Sequence, residues 1–274
     1  MKNKQTPDLQ WHPAFFAGIQ IEFEAERDKL IFENEHQLGT KPKQIDVLII
    51  KKYSEESIRK NIGRIFRTHN IIEYKSPSDY LSIDDFYLVY AYACLYKVDT
   101  PKSDTISAGE ITLSFVCHAF PHKLLKHLKH IRNYSIEKQE NGVYYVKGDF
   151  FPIQIIHTKE LSKEENLWLR SLTNNLKDKT DIRALMTEYE HKASNNLYSS
   201  VMDIIVKANR KNFEEESNMC EALKEIFLEQ NREAYEKEKQ EAIQEAVSEK
   251  DARIAELEIQ LAELEAQLAQ KNQQ

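Results

Sequence analysis

Two strand-like segments of the sequence carry acidic side chains and a lysine at spacings that suit metal-assisted hydrolysis. Asp46 lies within the apolar run QIDVLII, and Glu73 and Lys75 are separated by one residue in the run NIIEYKS. Side chains alternate along a strand, so Asp46 shares a face with Leu48, and Glu73 and Lys75 project from one face of theirs. A carboxylate in an apolar strand is unfavourable unless it is paired or bound to a metal. The combination therefore indicates a site, although a Glu-x-Lys triplet alone also fits an ion pair on an edge strand.

Two carboxylates and a lysine that converge across adjacent strands predict hydrolysis of phosphodiester bonds with a divalent cation. Carboxylate oxygens suit Mg²⁺, with Mn²⁺ as a substitute, and both ions leave positions open for water and phosphate. The cation lowers the pKa of a bound water and neutralises charge in the transition state. A lysine beside it orients or deprotonates the water and stabilises the transition state. The sequence contains no glycine-rich phosphate loop, so no nucleotide cofactor is expected.

A third acidic residue is expected on the helix that precedes these strands. Pro13 suits the first turn of a helix, which is predicted to continue through FFAGIQIEFEAER. Phe15, Ile19 and Glu22 follow helical spacing, so Glu22 points where the helix packs. Glu24 lies about 140° from Ile19 around the helix. We therefore assign Glu22 to the site and keep Glu24 as the alternative.

The segments around these residues predict a mixed α/β fold. The runs LIFENEHQL and QIDVLIIKK, separated by GTKPK, predict an antiparallel hairpin, and NIIEYKS predicts a third strand that ends before Pro77. Ser82 followed by Asp85 predicts a capping-box start for the helix IDDFYLVYAYACLYK. A strand, a helix that begins at Pro121, a hairpin and a last strand then follow, in this order: ITLSFVC, HKLLKHLKHI, YSIEKQENGVYYVKG and FPIQIIHT.

The second part of the sequence is predicted to be mainly helical, because all six glycines and all seven prolines lie at or before Pro152. Near the end, apolar residues recur at three- and four-residue spacing, interrupted only by Lys250: Ile243, Val247, Ile254, Leu257, Leu261, Leu264 and Leu268. This heptad pattern predicts a coiled coil and hence a homodimer. The alternative is one long amphipathic helix that docks on its own body.

The helix acid, Asp46 on the second strand and Glu73-Tyr74-Lys75 on the third together resemble the PD-(D/E)XK nuclease superfamily. The sequence from QIDVLIIKK to YACLYK is similar to bacterial proteins grouped as recombination-promoting nucleases and transposase-related proteins, and the resemblance covers about residues 10–175. It implies a restriction-endonuclease-like core in which Lys75 acts on the attacking water. The catalytic residues that it implies are Asp46, Glu73, Lys75 and Glu22, and the metal ligands are Asp46, Glu73, Glu22 and the Tyr74 carbonyl.

We therefore expect three parts, which are a nuclease-like α/β domain over 1–175, a helical extension over 176–240 and a coiled-coil tail over 241–274. The expected activity is that of an Mg²⁺-dependent DNA endonuclease, acting in recombination or mobile-element processes. Two alternatives remain open. One is a nuclease fold without activity that binds DNA or regulates another protein, and the other is an assembly protein that works through its coiled coil.

The net charge of −7 does not argue against a DNA partner, because the acidity is confined to the tail. Residues 1–210 carry a net charge of +2, whereas residues 211–274 carry −9. Two groups of basic residues are expected to contact phosphates, one on a helix face without acidic residues and one beside the strands of the site. They are Lys123, Lys126, Lys129 and Arg132 in the first group, and Arg64 and Arg67 in the second.

Cysteine usage and hydropathy predict a cytoplasmic protein without a membrane partner. The longest apolar run, from Phe86 to Tyr96, has 11 residues and is too short to cross a bilayer. The first residues lack the apolar segment of a signal peptide. Three widely spaced cysteines make a disulfide scaffold unexpected.

Overall fold

The structure is a computed structural model that describes residues 9–37, 44–53, 57–100 and 102–214. All of them belong to the first of two compact units of the chain, Met1–Cys220. The predicted coiled coil over 241–274, and the predicted helical extension beyond residue 214, lie outside the described residues. The homodimer through the tail therefore stays a prediction.

The described residues form seven helices and seven strands, joined in part by short 3₁₀ turns. The helices are α1 (Trp11–Glu22), α2 (Ile83–Val98), α3 (His122–His130), α4 (Lys163–Ser171), α5 (Lys179–Glu190), α6 (Asn196–Ala208) and α7 (Arg210–Glu214). The strands are β1 (Leu30–Gln37), β2 (Gln44–Lys51), β3 (His69–Lys75), β4 (Ile111–Cys117), β5 (Ser135–Glu140), β6 (Val143–Lys147) and β7 (Ile153–His157).

All seven strands form one mixed sheet in the order β1-β2-β3-β4-β7-β6-β5. β3, β4 and β7 are parallel neighbours, and the remaining neighbours are antiparallel. Both predicted hairpins, β1–β2 and β5–β6, are present. The fold is therefore α/β with a mixed sheet flanked by helices, as the sequence predicts. Every residue of β4 is buried, which is typical of a central parallel strand that is covered on both faces.

The two faces of the sheet are covered by different helices. On one face, Phe86 of α2 stacks on Phe115 of β4, which lies opposite Glu73 in the register of β3 and β4. On the other face, Phe15 of α1 stacks on Tyr74 with ring centroids 4.1 Å apart. Because neighbouring side chains on a strand point to opposite faces, Glu73 lies on the α2 side and Tyr74 on the α1 side.

The start of α2 follows its sequence signal, whereas α1 ends before the predicted Arg27. Ser82 and Asp85 form the predicted capping box. α1 ends at Glu22 because Phe23 leaves the helix and buries its ring against Phe66, with centroids 5.4 Å apart. A 3₁₀ turn, Glu24–Lys29, then leads into β1.

Helices beyond residue 175 pack on the same body as the sheet. α6 packs along α1 and buries Val201, Met202 and Ile205. Residues on both sides of position 175 therefore belong to one compact unit. Among the described residues, none of the helices is both long enough and apolar enough to cross a bilayer.

Candidate active site

Asp46 and Glu73 lie side by side where the pairing between β2 and β3 stops. Val47 opposite Ile72 is the last pair of the β2–β3 ladder towards the start of β2. Asp46 and Glu73 are the next residues on the two strands. The backbone N–H of Tyr74 donates to Asp46 Oδ2 over 2.9 Å. A side chain thus replaces the partner strand as acceptor for this amide, and the hydrogen bond holds the Asp46 carboxylate beside Glu73.

Lys75 links Glu73 to the start of α2. Its Nζ lies 2.9 Å from Glu73 Oε1 and 3.0 Å from Asp85 Oδ1. The other oxygen of Asp85, Oδ2, accepts a hydrogen bond from the backbone N–H of Ser82 at the helix cap. The structure therefore brings together the three residues that the sequence predicts on β2 and β3, and adds Asp85.

Burial and like charges shift the pKa values of these groups. Burial raises the pKa of Asp46. Burial and the adjacent Asp46 charge raise the pKa of Glu73 to about 7, although Lys75 opposes the shift. Burial alone would lower the pKa of Lys75, but the Glu73 and Asp85 carboxylates outweigh it and raise that pKa above its ordinary value. Lys75 is therefore a permanent cation near neutral pH, which suits charge stabilisation better than removal of a proton from water.

The site contains a donor set that fits Mg²⁺. Asp46 Oδ1 and Glu73 Oε2 accept no hydrogen bond from any described residue, so each carboxylate keeps one oxygen for a cation. Mg²⁺ is commonly held by one or two carboxylates, with water and phosphate completing its shell. No group of three or more His, Cys, Asp and Glu side chains arranged to hold a metal occurs within the described ranges. The raised pKa of Glu73 is consistent with a pair that an added positive charge would stabilise.

Two further residues, which the sequence does not predict at the site, lie near Asp46. His12, in the first turn of α1, places Nε2 3.9 Å from Asp46 Oδ2. Glu35 lies between two residues of β1 that pair with Val47 and Ile45, and its charge also raises the pKa of Asp46. Glu35 has a φ of 49°, a left-handed conformation that is uncommon outside glycine. The register of the β1–β2 hairpin would have been enough to predict Glu35 opposite Asp46. The left-handed backbone conformation of Glu35, in contrast, has no signal in the sequence.

Glu22 and Glu24 lie away from this cluster. Glu22 is buried at the last residue of α1, where Oε2 lies 2.5 Å from Lys60 Nζ and Oε1 accepts the Leu169 N–H over 2.9 Å. Ten residues of helix separate it from His12, which corresponds to a rise of about 15 Å. Glu24 Oε2 instead pairs with Lys192 over 2.8 Å and accepts a hydrogen bond from the Tyr198 hydroxyl of α6. The structure therefore does not bring either helix acid to Asp46 and Glu73.

The Tyr74 side chain points away from the carboxylates. Its ring packs between Phe15 and His12 on the α1 face, and its hydroxyl is buried without a hydrogen-bond partner among the described residues. Burial raises the pKa of this hydroxyl. Any contribution of Tyr74 to a metal would therefore come from its backbone, as the sequence resemblance implies.

The residues that the sequence predicts to bind phosphate lie in different parts of the structure. Lys126 and Lys129 line a cleft beside α3, whereas Lys123 is exposed outside it. Arg132 lies over the ring of Tyr90 and pairs with Asp149, so it has a structural partner.

Arg64 and Arg67 lie away from the cluster of Asp46, Glu73 and Lys75. Arg64 pairs with Glu140. Arg67 precedes β3, at the opposite end of the strand from Lys75. Of the six basic residues, the structure thus gathers only Lys126 and Lys129 at one cleft.

A comparison with family models, curated proteins and solved structures finds no match to this chain. A relation to the PD-(D/E)XK superfamily therefore stays a prediction from the residues and their spacing.

Proposed function

We propose that this protein is a PD-(D/E)XK-type, Mg²⁺-dependent endonuclease that hydrolyses DNA phosphodiester bonds. The observation that carries the proposal is the joining of Asp46, Glu73 and Lys75 at the open end of the β2–β3 pairing. Asp46 lies 27 residues before Glu73 in the sequence, and its convergence with Glu73 and Lys75 on one sheet face is what a nuclease centre needs. The proposal includes cleavage during recombination or mobile-element processes and a homodimer through residues 241–274.

In this proposal Asp46 and Glu73 hold the cation with their free oxygens, and the Tyr74 carbonyl is the further ligand that the family pattern assigns. When bound, Mg²⁺ supplies charge neutralisation and an acidified water. Lys75 donates from Nζ to a phosphate oxygen and stabilises the negative charge that develops there. Asp85 keeps that Nζ at the site by pairing with it over 3.0 Å.

Cleavage of plasmid and linear DNA by the full chain, with and without Mg²⁺, tests the proposal. We expect Asp46→Asn and Lys75→Ala to lower the cleavage rate about 100-fold or more, because each removes a group that acts on the transition state. Asp84→Asn, which removes an exposed carboxylate from α2, is the matched control and should cleave at the wild-type rate. Equal rates in all four proteins, or no cleavage with any metal, would refute the proposal.

A second measurement, of thermal stability, detects cation binding independently of catalysis. Mg²⁺ that binds only the folded protein raises its melting temperature. We expect this increase in the wild type and its loss in Asp46→Asn. DNA binding without cleavage and without a thermal shift would favour the alternative of an inactive DNA-binding module.

A further inference from the structure

A cleft of about 390 Å³ lies between α3 and the β5–β6 hairpin. Its apolar floor consists of Phe120, Leu125, Ile136 and Tyr144. The Phe120 ring packs edge-on against Tyr144, with centroids 5.2 Å apart. The floor is therefore built from half-buried rings and aliphatic groups, which offer flat apolar surface to a ligand.

Cations line the rim of this cleft. Lys126, Lys129 and Lys138 reach it, and none of the described residues that line it is an Asp or a Glu. Lys138 Nζ lies 3.6 Å from Glu160 Oε2, so its charge is partly matched. Lys126 and Lys129 are exposed and form no ion pair with any residue that the structure describes. The two unmatched charges favour an anionic ligand.

The cleft lies near the same end of the parallel strands as the candidate active site. Lys75, Cys117 and His157 occupy one row across β3, β4 and β7, at the carboxyl ends of these parallel strands. The Phe120 ring packs on the His157 ring, with centroids 5.3 Å apart. Two strand spacings, about 10 Å, separate the backbone of Lys75 from that of His157. One extended strand of nucleic acid can therefore reach both places.

We propose that this cleft binds an unpaired strand of DNA, with phosphates on Lys126 and Lys129 and a base against Tyr144 and Phe120. An intact duplex exposes its phosphates but keeps its bases stacked inside. It can therefore contact the lysines at the rim of the cleft but cannot place a base against its apolar floor. Unpaired bases stack on aromatic rings with little regard to sequence, while lysines follow the backbone. The proposal rests on the nuclease function and narrows its substrate to DNA with a single-stranded segment.

Fluorescence anisotropy with a labelled oligodeoxythymidine tests the proposal, with the full chain kept in EDTA so that cleavage cannot contribute. We expect the Lys126→Ala, Lys129→Ala double variant to bind at least tenfold more weakly. Its slope of log affinity against log salt should fall by about 1.4, since each single-strand phosphate contact contributes about 0.7. Lys123→Ala, on the same helix but outside the cleft, is the matched control and should bind like the wild type.

Variants of Tyr144 separate base stacking from simple charge attraction. Tyr144→Ala should weaken binding about tenfold, because it removes the ring. Tyr144→Phe keeps the ring, loses the 2.6 Å hydrogen bond to Glu160 and should bind like the wild type. A blunt duplex of equal length should bind at least tenfold more weakly than the single strand. Polyglutamate of equal charge should not compete.

Three results would overturn the cleft as a single-strand site. They are equal weakening by Lys123→Ala and by the Lys126→Ala, Lys129→Ala double variant, unchanged binding by Tyr144→Ala, and equal affinity for duplex or polyglutamate. Because binding is measured in EDTA, its outcome is independent of catalysis. Binding that depends on the cleft, without any cleavage, would refute the nuclease function and support the single-strand site. Cleavage together with binding that does not depend on the cleft would support the nuclease function and refute the single-strand site.

Discussion

Replacing Glu73 with glutamine should stabilise the folded protein at alkaline pH while it abolishes cleavage. Glu73 is a buried carboxyl beside Asp46, and its side chain is only 12% exposed. Burial and the Asp46 charge raise its pKa from 4.5 to about 7. The folded state therefore holds a proton on Glu73 that the unfolded chain releases near pH 4.5.

The sign and size of the effect follow from this difference in proton affinity. Since the folded state binds the proton more tightly, the free energy of unfolding falls as the pH rises from 4.5 through 7, and then levels off. At about 1.4 kcal/mol for each pH unit, the fall is about 3 kcal/mol. Glutamine has no charge to lose, so Glu73→Gln lacks this contribution. The variant should therefore gain about 3 kcal/mol relative to the wild type between pH 4.5 and 8.

Urea unfolding of both proteins at several pH values between 4.5 and 8, in EDTA, measures this difference. Glu137→Gln removes an exposed carboxylate from β5 and is the matched control for the loss of one charge. Its stability should follow the wild-type curve. Parallel curves for wild type and Glu73→Gln across this range would refute the reasoning, because they would mean that Glu73 ionises alike in the folded and unfolded chains.

Three further substitutions test other contacts. Glu22→Ala should lower the free energy of unfolding by about 3 kcal/mol, because it removes both the carboxylate beside Lys60 and the acceptor of the Leu169 N–H; lost cleavage at unchanged stability in denaturant titrations would instead support Glu22 as a catalytic acid. Asp85→Asn should lower kcat about tenfold with unchanged KM in steady-state cleavage assays, because the active-site lysine loses a partner. Gly142→Ala should lower stability by about 1–3 kcal/mol in thermal melts, since its φ is +76°; Gly109→Ala, in ordinary space, is its control.

The local part of the candidate site could be predicted from the sequence. The period of two along a strand is enough to place Asp46 on the face of Leu48 and to put Glu73 and Lys75 together. Capping chemistry alone located the start of α2 at Ser82. Both signals depend on neighbours within a few residues, so they do not need the tertiary fold.

Long-range partners could not be predicted in the same way. Helical spacing indicates that Glu22 faces inward, and it is buried, but its partners come from positions 60 and 169. The three-residue spacing groups Lys123 with Lys126, yet only packing of the β5–β6 hairpin decides which of them lines the cleft. Register between distant elements is set by the whole core and has no local code.

The pairing of α1 with α6 has a consequence for how the protein is made. α1 ends at Glu22 and α6 begins at Asn196, so a ribosome must add more than 170 residues before the second helix exists. At about 5–20 residues per second, this interval lasts on the order of 10–35 s. During that time the side of α1 that will meet α6 has no partner, although seven of the twelve residues of α1 are buried in the finished fold. Biosynthesis is thus the stage at which this protein has most need of a chaperone that shields an apolar helix.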